Sequence, residues 1–385
     1  MRAPPTIQLA FNGVPLLQPL TGIGNYTVQL AKRMLNSDGL EPHFFYGTHW
    51  SRQVSAQAAP SVQKLLPWIR KNIPRSYDIR QWLQSRRFHA GAARGGFDLY
   101  HEPNNIPLPF DGPLVLTVHD LSWIRYPHMH PAERVQAMEK RFEGGLRRAT
   151  RVITDSQFVK QELIDVFGIA PEKIHPVALG ADERFAPKTP EQTQQTLLQH
   201  QLQYGRYFLA VGTLEPRKNL QLALNAFMAM PRLLRQRHPL VLVGMTGWHA
   251  SPLQAQLAPL LAAGEVKQLG YLAPDELADI MAAACALIYP SIYEGFGLPP
   301  LEAMACGVPV IASNVSSIPE VVGDTGILLD PQDTAGLTEA MTTLASAPEV
   351  RANLSARAHQ RSQNFSWDHC ANQTRHIYHL ALGHT

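Results

Sequence analysis

The chain has 385 residues, 45% of them hydrophobic and 17% charged, with 34 Lys and Arg against 31 Asp and Glu. At roughly 100 to 200 residues per domain this length predicts about two globular domains, and the composition excludes both a disordered chain and a small stapled scaffold. A net charge of +3 is too small to argue for nucleic acid. The cysteines Cys285, Cys306 and Cys370 form no CxxC pair, which predicts free thiols in a reducing compartment.

The opening MRAPPTIQLAFNG has an apolar run broken by Pro4, Pro5, Thr6 and Gln8, so it lacks the features of a secretory signal. The sequence has no apolar run of the roughly 18 residues that a bilayer span needs, and a cytoplasmic location is expected. TIQLAFNG reads as a first strand. Gly22 and Gly24 in TGIGNYT then precede the helical pattern Val28, Leu30, Ala31, Met34 and Leu35, so a Gly-rich loop should enter a helix and admit a phosphate. As a dinucleotide fingerprint it is poor, because Thr27 stands where a third glycine belongs and no strand precedes it directly. This argues against an NAD-linked oxidoreductase.

Between Leu65 and Gly95, Arg70, Lys71, Arg75, Arg80, Arg86, Arg87 and Arg94 stand against only Asp78, interleaved with Trp68, Tyr77, Trp82 and Phe88. Such a segment suits a solvated helix, an anionic membrane surface or a lipid diphosphate, and its composition also suits nucleic acid. We expect the membrane surface and no nucleic acid. PLVLTVHD and RVITDS continue the βα rhythm. At the carboxyl end of the first of these strands, His119 could bond a sugar hydroxyl or phosphate with the neighbouring Asp120 orienting it.

The rhythm lapses through the Pro- and Gln-rich stretch Phe185 to Tyr204 and restarts at Tyr207, which places a domain boundary there. YFLAVG, ending at Gly212, leads into TLEPRKNL, where Asn219 can cap a helix. Arg217 and Lys218 then sit at a strand's carboxyl end, suited to neutralising a diphosphate. PLVLVG, ALIYPS and VPVIAS supply further strands whose continuous apolar character predicts burial on both faces. Trp248, in VGMTGWH, reads as filling a core edge rather than stacking on a ligand.

In SIYEGFGLPPLEAMACGVPVIAS, a strand runs into a turn containing Gly295 and Gly297. Pro299 and Pro300 then fit a first helical turn, with Gly307 just past the helix end. The loop Gly295, Phe296, Gly297 and Leu298 should receive an anion on free N–H groups. Glu294 and Glu302 are eight residues apart and flank this site, suited to accepting hydrogen bonds from hydroxyls at either end of a nucleotide sugar. The sequence has no Asp-x-Asp, and no metal is expected. His128/His130 and His376/His379 lack the carboxylate or thiolate company of a zinc site and read as surface residues. Ser366 begins a terminal helix with Cys370, Thr374, Ile377, Tyr378 and Ala381 at helical spacing.

EGFGLPPLEAMACGVPVIAS followed by SIPEVVGDTGILLDP resembles the signature of the retaining glycosyltransferases of family four. GIGNYT, VLTVHDLSWIRYP and RVITDSQFVKQELI add weaker matches. The resemblance implies an α/β GT-B fold, with two Rossmann-like doubly wound domains facing across a cleft. We expect residues 1–188 to bind acceptor, 189–365 to bind the nucleotide sugar, and 366–385 to form a helix packing back on the first domain. It further implies that Arg217 and Lys218 bind the donor diphosphate, that Glu294 holds the sugar and Glu302 the ribose, and that His119 lies at the donor with Asp120 near the acceptor. The loop with Gly22 and Gly24 would lie over the reaction centre, and Gly270, Tyr271 and Leu272 would hold the base. Catalysis is expected from His119, Asp120, Arg217, Lys218 and Glu294, without a cofactor. VGMTGW, SNVSSIPEVVG and FSW most resemble bacterial mannosyl- and rhamnosyltransferases of surface-polysaccharide assembly. That leans the donor toward a GDP-sugar, with UDP- or dTDP-sugars as the alternative, and the acceptor toward a glycan or lipid-linked glycan. A non-catalytic sugar- or nucleic-acid-binding module is a distant alternative that predicts no donor turnover.

Overall fold

The computed structural model describes residues 6–17, 22–55, 76–245, 247 and 251–384. Trp248, Trp68, Arg70, Lys71 and Arg75 lie outside these residues. Two compact units are present. The first takes the chain up to Asp120, Gln136–Leu179 and the segment from Trp367 onward; the second takes Leu121–Val135 and Gly180–Ser366.

The first unit contains strands β1 (Ile7–Asn12), β2 (Leu40–Phe45), β3 (Trp50–Ser51), β4 (Leu99–Glu102), β5 (Leu114–Val118), β6 (Arg151–Thr154) and β7 (Ile174–Pro176). They form one sheet in the order β3-β2-β1-β4-β5-β6-β7, parallel except for the short β3 edge. Every residue of β5 is buried, as crossover helices on both faces require.

The second unit contains β8 (Phe208–Val211), β9 (Leu240–Val243), β10 (Val266–Gly270), β11 (Ala286–Tyr289), β12 (Val310–Ser313) and β13 (Ile327–Leu329). These pair wholly in parallel in the order β10-β9-β8-β11-β12-β13, and Phe208 faces Leu240 on one side and Ala286 on the other. Both sheets thus reverse their winding direction beside their first strand. Such a point leaves a crevice outside the strands' carboxyl ends, where ligands bind. A core of Phe208, Leu224, Phe227, Leu242, Ile288 and Met341 fixes the second sheet against its helices.

The structure departs from the sequence expectations at several places. The second unit begins at Gly180, ahead of the expected break, because Arg184 pairs with Asp275 at 2.8 Å and Lys188 with Asp279 at 2.6 Å. Leu121–Val135 also groups with that unit, and the Leu121 amide donates to the Tyr293 hydroxyl at 3.0 Å. Gly22 and Gly24 lie in the first turn of the helix Gly22–Leu35 rather than in a loop before it. Asn219 precedes the helix Leu220–Ala229 in a left-handed conformation and caps nothing; its side chain donates to the Pro331 carbonyl instead.

His130 is buried, not a surface residue. Phe88, on the helix Ser76–Gly95, leaves the basic face altogether: it is fully buried against Phe45, Trp50 and Tyr100. The terminal helix Trp367–Ala381 buries Trp367, Cys370, Thr374, Ile377 and Tyr378 in the first unit. All three cysteines are free and buried. Among the described residues no helix is long and apolar enough to cross a membrane.

Candidate active site

In the second unit the site forms where the sheet reverses, at the ends of β8 and β11. The chain leaves β8 through Gly212 at φ +146 and enters a single 3-10 turn, Pro216–Lys218. The Arg217 carbonyl accepts from the Ile292 amide at 2.9 Å, tying this turn to the segment after β11. Arg217 and Lys218 then converge on Glu294: Arg217 Nη1 donates to one carboxylate oxygen at 2.8 Å and Lys218 Nζ to the other at 2.7 Å. Arg217 also donates to Glu215 at 2.8 Å and to the Tyr293 carbonyl at 2.6 Å, and Lys218 donates to the Tyr289 hydroxyl at 2.9 Å.

These groups are almost closed off from solvent, with side-chain exposures of 13% for each cation and 9% for Glu294. Burial would raise the Glu294 pKa, but the Arg217 and Lys218 charges outweigh it and hold the carboxyl at about 2. Burial lowers the Lys218 pKa against the pull of Glu294. The result is a fixed, water-poor set of charges, in which an anion would interact more strongly than in bulk water.

Backbone crowding shapes the floor of this site. Gly244, at φ +144, approaches so closely that a Cβ there would sit 1.9 Å from the Gly212 carbonyl oxygen. Its amide donates to the Gly270 carbonyl at 2.8 Å, linking the ends of β9 and β10. Beyond Gly270, at φ +71, Tyr271 is 49% exposed while Leu272 is buried.

The loop after Glu294 is held from below by two serines. Ser316 Oγ accepts from the Glu294 amide at 3.0 Å, and Ser317 Oγ donates to the carbonyls of Glu294 and Phe296 at 2.9 Å each. Gly297, at φ +118, then turns the chain into the helix Leu298–Ala305. Pro299 and Pro300 carry no N–H, so the donors at this end come from the loop Gly295 to Leu298.

Glu302 lies within that helix, 8% exposed, and its carboxyl makes no hydrogen bond to any described residue. Burial and the nearby Asp182 charge raise its pKa to about 8, with Arg184 opposing them. A nearly buried carboxyl with no hydrogen-bond partner among the described residues is poised for a ligand hydroxyl, and when protonated it can donate as well as accept.

In the first unit, His119 follows β5 directly and both ring nitrogens are engaged. Nδ1 lies 2.7 Å from Asp155 and Nε2 2.8 Å from the Pro103 carbonyl. A carbonyl only accepts, so Nε2 carries a proton. Burial lowers the His119 pKa, but the charge and hydrogen bond of Asp155 overcome it and raise the value. The orienting carboxylate is therefore Asp155 rather than Asp120, which is only half-buried beside it. Nearby His101 bridges Tyr378 and Thr117 at 2.6 and 2.8 Å and is kept neutral by burial and by the His119 charge, its pKa lowered to about 3.

The structure thus brings Arg217, Lys218 and Glu294 into contact and sets Glu302 beside Asp182 and Arg184. His119, Asp120, Gly22 and Gly24 belong to the first unit. Sequence reasoning missed Glu215, Asp155, Asp182 and Arg184, and overlooked the two serines although their segment was read. Among the described residues no group of three or more His, Cys, Asp or Glu is arranged to hold a metal.

Residues 20–185 match the protein family described as Glycosyltransferase Family 4, and residues 199–361 match Glycosyl transferases group 1. The chain is 35% identical over 383 residues to O-antigen chain mannosyltransferase B of Escherichia coli, covering 97% of this chain and 100% of the relative. Sucrose-phosphate synthase from Thermosynechococcus elongatus superposes with a TM-score of 0.77 at 22% identity, over 98% of this chain and 99% of that one. WaaG, a glycosyltransferase involved in lipopolysaccharide biosynthesis, superposes with a TM-score of 0.68 at 14% identity, over 96% and 99%. Two Rossmann-like parallel-sheet units, the basic pair at the end of β8 and the glutamate-led loop after β11 accord with these matches: the chain is a glycosyltransferase of family four with the GT-B fold.

Proposed function

We propose that the protein transfers a mannosyl group from GDP-mannose to a hydroxyl of a glycan or lipid-linked glycan in O-antigen assembly, with retention of anomeric configuration. The observation that carries this reading is the buried Arg217–Lys218–Glu294 cluster at the reversal of the second sheet. The mannosyl choice rests on the 35% identical relative named O-antigen chain mannosyltransferase B.

In this reading the C1–O bond to the diphosphate breaks, a new C1–O bond forms to the acceptor oxygen, and the acceptor proton passes to the leaving phosphate. Arg217, Lys218 and the amides of Gly295 to Leu298 stabilise the departing charge, which makes a divalent cation unnecessary. Glu294 serves twice, fixing the two cations and holding the sugar. Glu302 takes the ribose, and Gly270, Tyr271 and Leu272 border the base.

The decisive experiment is a thermal-shift panel of GDP, UDP, ADP and dTDP, without and then with divalent metal, followed by transfer from GDP-mannose with the product anomer read by NMR. A ligand at about 100 times its Kd stabilises by about 2.7 kcal/mol. Selective stabilisation by GDP without metal, then an α-linked product, is expected. Selective stabilisation by another nucleotide would move the donor to that base, and an inverted product would remove retention.

We also propose that the protein works at the inner face of the cytoplasmic membrane through the helix Ser76–Gly95. Trp82 is 55% and Leu83 41% exposed, the Arg86 guanidinium lies 4.8 Å from the Trp82 ring centroid, and Arg87 and Arg94 are exposed. Interfacial tryptophan with basic neighbours suits an anionic headgroup layer. Liposome flotation tests it: salt-sensitive binding to vesicles containing phosphatidylglycerol is expected, and equal recovery with neutral vesicles would refute it.

A further inference from the structure

We propose that the turn Pro103–Ile106, at the carboxyl end of β4, is a recognition turn for the acceptor sugar and that the Asn104 carboxamide binds its hydroxyls. The inference rests on the transferase reading above and adds a residue to its acceptor side. The turn lies where the first sheet reverses, between β1 and β4, the position at which a doubly wound sheet opens to a ligand.

What singles the turn out is how many of its other polar groups are engaged inside the protein. Glu102, fully buried, accepts from Asn12 Nδ2 at 2.8 Å, from the Tyr100 hydroxyl at 2.5 Å and from the Asn104 amide at 3.0 Å. The Pro103 carbonyl accepts a hydrogen bond from His119 Nε2–H. Asn105, held at φ +54, donates its amide to the Thr117 carbonyl at 3.0 Å, and its Oδ1 accepts from the His119 amide at 3.3 Å.

Two buried ionisable groups, Glu102 and His119, therefore serve to hold one short turn rigid. Against that background the Asn104 carboxamide makes no hydrogen bond to any described residue, and it is partly exposed. A rigid mount carrying a free carboxamide with both donors and an acceptor is an arrangement suited to recognising a polar ligand, because little ordering cost remains to be met on binding.

The chemistry favours a neutral polyol. A carboxamide offers two donors and an acceptor, matching vicinal hydroxyls that each do both. The carboxylates acting on His119 in this unit are Asp155 and Asp120, and they disfavour a phosphate, while Glu102, its pKa raised to about 8 by burial, stays protonated at neutral pH.

The experiment is calorimetric binding of octyl α-D-mannopyranoside, which requires no turnover, to the wild type and to Asn104→Ala, with GDP binding measured in parallel. The variant should bind the mannoside at least tenfold more weakly while its Kd for GDP stays within twofold. Equal mannoside affinity, or a parallel loss of GDP binding, would overturn the assignment, as would a preference of the wild type for mannose 6-phosphate over the neutral mannoside. Failure of the wild type to turn over GDP-mannose would refute the mannosyltransferase reading and would leave the calorimetric result standing. Asn104→Gln, which keeps the carboxamide on a longer arm, should recover part of the affinity.

Discussion

Replacing Glu302 by glutamine should make the protein more stable and its nucleotide site weaker, and the gain in stability should grow with pH. Glu302 is 8% exposed, and its pKa stands at about 8 against an ordinary 4.5, through burial first and the Asp182 charge second. Between those two values the folded chain holds a proton that the unfolded chain has released. Stability is therefore lost as pH rises from 4.5 toward 8. At about 1.4 kcal/mol per pH unit, the accumulated cost is on the order of 3 kcal/mol at pH 7 and 5 kcal/mol at pH 8.

Glutamine occupies the same volume and does not titrate, so Glu302→Gln avoids this cost. Wild type and variant should have similar stability near pH 5 and diverge steadily above it. Glu102, which shares the upward shift to about 8, is present in both proteins and cancels from the difference. Urea unfolding at a series of pH values gives the free-energy difference, and titration with GDP gives the affinity. Loss of one hydrogen bond to ribose, about 1 kcal/mol, should raise the GDP Kd roughly five- to tenfold. A stability difference that stays flat from pH 5 to pH 8, or a variant less stable at pH 8, would refute the electrostatic account.

Lys218→Ala should lower kcat by about 10²- to 10³-fold, the usual effect of removing one preorganised donor from a developing anion, as read by steady-state kinetics. Turnover within a few-fold of wild type would remove Lys218 from catalysis. Gly244→Ala sets a Cβ 1.9 Å from the Gly212 carbonyl oxygen at φ +144 and should cost at least about 3 kcal/mol by chemical denaturation, whereas Gly264→Ala, also at positive φ but with nothing within 4 Å, should cost about 1 kcal/mol. Tyr378→Phe strips the partner from a buried His101 nitrogen and should cost about 1 to 3 kcal/mol, visible as a lowered denaturation midpoint.

The parts of the architecture that could be read from the sequence are those in which burial writes a continuous apolar run. TIQLAFNG, PLVLTVHD, YFLAVG, PLVLVG and ALIYPS all became central parallel strands. The strands LEPHFF, LYHE and VKQLG mix charge with apolar residues, and IHP and ILL are too short to carry a period. Their pairing is decided by neighbours far along the chain, so their own residues did not mark them.

The same division applies to the site. Arg217, Lys218 and Glu294 sit inside local motifs of glycine, proline and charge. Asp155 reaches His119 from 36 residues away, and Asp182 and Arg184 act on Glu302 across more than a hundred positions, from a stretch adjoining the Pro- and Gln-rich boundary. Asp155 did offer one usable signal: it ends a buried strand, the position that drew notice to His119.

The return of Trp367–Ala381 to the first unit has a consequence for the order of assembly. A ribosome delivers everything belonging to the second unit before it delivers this helix, so the second unit can close while the first still lacks Trp367 and Tyr378, a hydrogen-bond partner of His101. The usual amino-to-carboxyl succession of domain folding is thereby inverted. Until the final helix docks, Tyr26 lacks its Trp367 neighbour and His101 its Tyr378 hydrogen bond. Truncations or fusions at the carboxyl end should accordingly damage acceptor-side folding first.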